Sequence, residues 1–214
     1  MNKPICFSDL PIGPIIRKKR VKLRQVQDDG YTDDILRARM TSYINSVKET
    51  DHIIASSGLP IRHQNPPEDI TENITKVIIR NYENDHSCQW AKGIKYSGDL
   101  ISEKYPITSP IEVKAFTSDG PSSFGPKKKF SVIYFLDMRG FKYDKLCCWR
   151  VDVSNESLDW VEIKMNKTQT NGEQCSEKRR PHISWDNIYS QIPNKCVKVY
   201  DGNFSDIFVK PTRK

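Results

Sequence analysis

The chain has 214 residues, 36% of them apolar, with 34 Lys and Arg against 27 Asp and Glu for a net charge of +7. That length can bury a real core, which excludes wholesale disorder and suits one globular domain. The positive excess favours a polyanionic partner and leaves acidic substrates, nucleic acid and anionic membranes open.

Six cysteines, at positions 6, 88, 147, 148, 175 and 196, form no Cys-x-x-Cys pair, and no histidines stand at zinc-finger spacing. A structural zinc site is therefore not expected, and the cysteines read as small buried hydrophobes of a reducing compartment. Pro4, Asp9, Pro11 and Pro14 interrupt the N-terminal stretch, and no long apolar run follows. The expectation is a cytoplasmic protein with no membrane partner.

In chain order, residues 1–29 read as a basic arm, because Arg17 to Arg24 carries six positive charges in eight positions. Solvation of that arm and contact with a phosphate backbone are equally open. Residues 30–214 read as one domain, with no repeat and no sharp break in composition. Thr32 is an N-cap followed by Asp33 and Asp34, and Leu36, Met40, Tyr43, Ile44 and Val47 recur at helical spacing to about Lys48. After a loop at Gly58, Pro60, Pro66 and Pro67, the spacing of Ile70, Ile74, Val77 and Ile78 predicts a second helix from about Glu68 to Asn81. Ile111, Val113 and Ala115 then alternate with Glu112, Lys114 and Phe116, and Ser131 to Leu136 is a nearly continuous apolar run of strand length. Leu146 to Val153 and Trp160 to Lys164, joined across Ser154 to Ser157, read as a hairpin. A short helix near Trp185 to Ile192 and a strand near Val197 to Tyr200 complete an α/β fold with a central mixed sheet flanked by helices.

The informative stretch is Ser97-Gly98-Asp99-Leu100 followed by Ile111-Glu112-Val113-Lys114. Side chains alternate along a strand, so Glu112 and Lys114 project from one face. Asp99, expected at the end of the preceding strand or in the turn after it, would be brought beside them by antiparallel pairing. Two carboxylates and an ammonium placed together are the set that phosphodiester hydrolysis requires. Asp99 and Glu112, with the carbonyl of Val113, suit Mg²⁺ through oxygen ligation. Lys114 suits the attacking water and the negative charge of the transition state.

This arrangement resembles the PD-(D/E)XK nuclease superfamily, and the longer stretch from Glu112 to Pro126 is similar to type II restriction endonucleases. The resemblance implies Asp99 and Glu112 as metal ligands, Lys114 as the residue serving the water, and Glu72, on the helix before the motif, as a further acidic member. Glu72 is expected to face Lys76 and Ile79, off the apolar stripe. The Pro of the superfamily name is replaced by Gly98. DNA contacts are expected from Ser118, Asp119, Ser122, Ser123, Lys127, Lys128 and Lys129 in the segment after the motif, and from Lys178, Arg179 and Arg180. Gly125 and Pro126 are expected to start a short turn that faces the three lysines toward phosphates.

A second Glu-x-Lys, Glu162-Ile163-Lys164, has Asp152 upstream. The first copy is preferred because Gly98 lets the backbone turn tightly beside Asp99, a helix with a spare Glu precedes it, and the similar continuation follows it. The histidines read as surface or capping groups, and Trp90, Trp149, Trp160 and Trp185 as core. The implied protein is a Mg²⁺-dependent, sequence-specific endonuclease of double-stranded DNA. It would act as a homodimer on a near-palindromic site, beside a cognate DNA methyltransferase in its host. A structure-specific repair or junction-resolving nuclease and a non-catalytic DNA-binding protein remain the alternatives.

Overall fold

The computed structural model describes residues 31–91 and 98–209. The basic arm at 17–24 lies outside them. In chain order the elements are α1 (Asp33–Ser57), α2 (Glu68–Tyr82), β1 (Gln89–Trp90), β2 (Leu100–Ile101), β3 (Ile111–Phe116), β4 (Ser122–Ser123), β5 (Val132–Asp137), β6 (Lys145–Val151), α3 (Leu158–Val161), α4 (Asn171–Ser176), β7 (His182–Ile183), α5 (Trp185–Gln191) and β8 (Cys196–Asn203). No described helix is long and apolar enough to cross a membrane. Cys88, Cys147, Cys148, Cys175 and Cys196 are all free thiols.

Thr32 caps α1 as expected, its hydroxyl accepting from the Ile35 amide. The helix runs on to Ser57, nine residues past the expected end at Lys48. Its fully buried stripe of Leu36, Met40, Tyr43 and Val47 does stop there, and beyond it the helix is held by partly buried Thr50, Asp51 and Ile54, with Asp51 paired to Lys142 and His63. Gly58 ends α1 in the left-handed conformation, φ 67°, and returns its amide to the Ile54 carbonyl. α2 is buried on more than one face, with Ile70, Thr71 and every residue from Asn73 to Ile79 inaccessible. Lys76 and Ile79, expected off the apolar stripe, are thus inside. The reason is that α2 lies between α1, the sheet and the residues after β8.

Six strands form one mixed sheet in the order β1-β2-β3-β5-β6-β8, parallel only between β3 and β5. A parallel pair needs a crossover connection, here residues 117–131. β5 is apolar on both faces because both are covered. Val132, Tyr134 and Leu136 join α1 and α2 in one core, whereas Ile133 and Phe135 join Phe124, Trp160, Ile183, Trp185 and Ile188 in the other. The buried Tyr134 hydroxyl donates to Glu83, which also pairs with Arg150.

The expected hairpin of Leu146 to Val153 with Trp160 to Lys164 does not form. β6 pairs with β5 and β8, and Leu158–Val161 is a helical turn. Trp160 and Ile163 stand three residues apart and are both 2% exposed. A helical turn sends both into the same core, and Trp160 meets Phe124 and Phe130 at ring-centroid distances of 5.0 and 5.8 Å. β4 and β7 form a separate two-stranded sheet, Ser122 opposite Ile183 and Ser123 opposite His182.

Candidate active site

The site is built on β3, next to the only parallel step of the main sheet. Ile111 and Val113 turn toward the core under α1 and α2, so Glu112 and Lys114 turn to the opposite face. Asp99 immediately precedes β2. Its amide donates to the Ile111 carbonyl at 3.2 Å, and its Oδ2 accepts from the Val113 amide at 2.8 Å. The two carboxylate-bearing segments are therefore tied by backbone. Gly98 is required there, because a Cβ at that position would lie 2.0 Å from Pro110 Cγ. Pro110 packed against residue 98 leaves no room there for a side chain.

Asp99, Glu112 and Lys114 converge, joined by Lys128. The Lys128 ammonium lies 2.9 Å from Asp99 Oδ1 and 2.6 Å from Glu112 Oε2, while Lys114 Nζ lies 2.5 Å from Glu112 Oε1. Glu112 is 1% exposed, and neither of its oxygens receives a directed hydrogen bond. Its charge is met by two ammonium groups in poor hydrogen-bonding alignment. A metal ion has no donor angle to satisfy, so these two buried oxygens, held only by ion-pair contacts to Lys114 and Lys128, fit a cation. Burial, then the Asp99 charge, pushes the Glu112 carboxyl above its usual range against the opposing effect of Lys114 and Lys128. Burial works against the Lys128 charge, but Glu112 and Asp99 outweigh it and hold its pKa up.

The donor set is all oxygen. Among the described residues no cluster of three or more His, Cys, Asp or Glu converges. Two carboxylates and a backbone carbonyl, with water completing the shell, suit Mg²⁺ better than a fully caged ion. Glu72 shares a cleft of about 590 Å³ with Asp99, Lys114 and Lys128. It accepts a hydrogen bond from the Trp90 indole. Burial is the main reason its pKa is pushed up to about 7, with Asp99 and Glu68 adding and Trp90 and Lys128 opposing.

The remaining sequence candidates are distributed around this cleft. Ser122 and Ser123 line its wall, and the Ser123 hydroxyl is buried with no hydrogen-bond partner. Ser118 is exposed at the rim, and Asp119 is exposed and paired with Arg139 at 2.5 Å. The turn at Pro126 forms, with the Lys128 amide donating to the Gly125 carbonyl. It exposes Lys127 and Lys129 and sends Lys128 into the site. Lys178, Arg179 and Arg180 are exposed between α4 and β7, and Arg179 also pairs with Glu177 at 3.0 Å. The Phe124 amide donates to the Pro181 carbonyl beside the β4 and β7 pairing, fastening this basic segment to the cleft wall. Sequence reasoning missed the inward turn of Lys128 and the Trp90 contact to Glu72. Three identical lysines give no signal for which one turns in, and an indole donor beside a helix on the far side of a loop has no local pattern.

The second Glu-x-Lys assembles nothing comparable. Glu162 is the exposed C-cap of α3, Lys164 is exposed, and Asp152 pairs with Arg150 at 2.6 Å.

A family model described as Bsp6I restriction endonuclease matches residues 32–193. Over 63 residues the chain is 33% identical to the type II restriction enzyme Bsp6I of Bacillus sp. (strain RFL6). That stretch is 29% of this chain and spans about a third, 34%, of the relative's length. No solved structure matches the chain.

Proposed function

The chain belongs to the Bsp6I restriction endonuclease family, and from that premise we propose that it is a Mg²⁺-dependent, sequence-specific endonuclease of double-stranded DNA. The observation that carries the reading is the convergence of Asp99 and Glu112 on one cation position, with Lys114 on the remaining oxygen of Glu112. Asp99, Glu112 and the Val113 carbonyl would hold the ion, which supplies Lewis-acid neutralisation of the scissile phosphate. Lys114 orients the attacking water and stabilises the added negative charge as the water oxygen bonds to phosphorus and one P–O ester bond breaks. Its ammonium is held by Glu112 and lies 5.5 Å from the Phe124 ring centroid, which limits its orientations.

Lys127, Lys129, Lys178, Arg179 and Arg180 supply positive charge around the cleft for the DNA backbone. Ser118, Asp119, Ser122 and Ser123 are the polar groups placed for base or sugar contacts. One site per chain implies a symmetric dimer to cut both strands. A host methyltransferase would protect the same sequence. Digestion of plasmid duplex with MgCl₂, followed by sequencing of the ends, tests the whole reading. Discrete fragments sharing one end sequence are expected. Cutting confined to branched or mismatched DNA, or no cutting, would overturn it.

A further inference from the structure

Lys114 and Lys128 both touch Glu112, but they sit differently. Lys114 is on the same strand and meets Oε1 alone. Lys128 arrives from the crossover loop and bridges Oε2 of Glu112 to Oδ1 of Asp99, the two carboxylates of the cation position. We propose that Lys128 is an internal competitor for the divalent ion, its ammonium occupying the space between Asp99 and Glu112 and leaving when an ion is held there. The inference rests on the metal site proposed above.

Three observations carry it. The ammonium makes a directed bond to Asp99 but only a charge contact to Glu112, so it neutralises the pair without saturating it. A divalent ion and an ammonium at contact distance from the same oxygens repel each other strongly in a poorly solvated site, so the two occupants exclude one another. Departure needs no backbone movement. Lys128 hangs by a flexible four-carbon stem from a turn whose neighbours Phe124 and Phe130 are anchored in the core, and its side chain is 28% exposed to the cleft. In the absence of metal the lysine keeps the buried Glu112 carboxylate and the partly buried Asp99 carboxylate from repelling each other. With metal, it is free to meet the phosphate that enters the same cleft.

The probe is Mn²⁺ alone, added to the full chain without DNA at about pH 8, above the usual carboxylate range. Free Mn²⁺ is read by electron paramagnetic resonance and folding by thermal melting. Lys128→Met is expected to bind Mn²⁺ tighter than the wild type by about tenfold or more, the scale of one charge-assisted hydrogen bond. It is also expected to melt lower without metal and to gain more in melting temperature when Mn²⁺ is added. Lys128→Gln, which keeps a donor on a similar stem, replaces it if the Met variant does not fold. Equal or weaker binding in the variant, with wild-type binding intact and lost in Asp99→Ala, overturns the competition and leaves the metal site standing. If no Mn²⁺ binds to either protein, both this inference and the metal site fall.

Discussion

The chain carries Glu-x-Lys twice, and the two copies end in opposite surroundings. Glu112 lies on a central strand, 1% exposed, against Asp99 and two ammonium groups. Glu162 ends a four-residue helix in solvent, while Asp152 is engaged with Arg150. Spacing alone is common to both. What separates them is an inner strand that buries the carboxylate and a neighbouring segment tied to it by backbone, here through the Asp99 carboxylate on the Val113 amide. Burial makes charge expensive, so a buried acid held against a second acid and two ammonium groups at the edge of a cleft is a stronger candidate for a site than an exposed one.

That contrast can be broken most directly by substitution. Asp99→Ala or Lys114→Ala should lower the rate of plasmid cleavage by roughly 100-fold to 1,000-fold or more, and Glu162→Ala should leave it within about twofold. The reverse result would move the site to the second copy.

Glu72→Gln should cost roughly 10-fold to 100-fold in cleavage, the range for groups that support a metal site. The wild-type rate should climb with pH through about 7, where Glu72 ionises, and the variant should lose that inflection. Stability should move the other way. The unfolded chain gives up this proton near the usual 4.5 and the folded chain near 7, so stability is lost as pH rises across that window and is flat above it. A melting-temperature series for wild type and variant reads the difference.

Gly98→Ala should destabilise the fold by about 1–3 kcal/mol through overpacking on Pro110. In calorimetry, Gly120→Ala, whose added Cβ would meet nothing closer than 3.5 Å, should stay near wild type. The smallest effect belongs to the second copy. Asp152→Asn removes a partly exposed ion pair to Arg150 and should change stability by no more than about 1 kcal/mol. A larger loss would show that this region contributes more than a solvated charge pair.

The sequence reveals local periodicity and hides long-range pairing, and the same division runs through fold and site. α2, β3, β5 and α5 were legible because their apolar spacing matches the faces they bury. The second half of α1 was not, since no stripe continues past Val47. The stretch Trp160 to Lys164 misled because its alternation also satisfies a helical turn with two anchors in one core. The two-residue strands β1, β2, β4 and β7 have no pattern of their own and exist only through partners. Within the site, Asp99, Glu112 and Lys114 were legible because two of them sit two positions apart on one strand and the third beside its antiparallel neighbour, although Asp99 leads into that strand where the expectation placed it at a strand's end or in the turn after it. Lys128 among three lysines, and Trp90 against Glu72, follow from how a loop closes in three dimensions.

The small sheet of β4 and β7 ties together two distant parts of the chain. Ser122 and Ser123 meet residues about sixty positions later in the chain, so the pairing costs loop-closure entropy that the contacts of β7 must offset. A chain growing from the ribosome has Asp99, Glu112 and Lys114 in sequence well before His182 and Ile183 exist to pin the cleft wall. The carboxylates proposed to hold the ion are therefore synthesised well before the strand that pins the wall of their cleft.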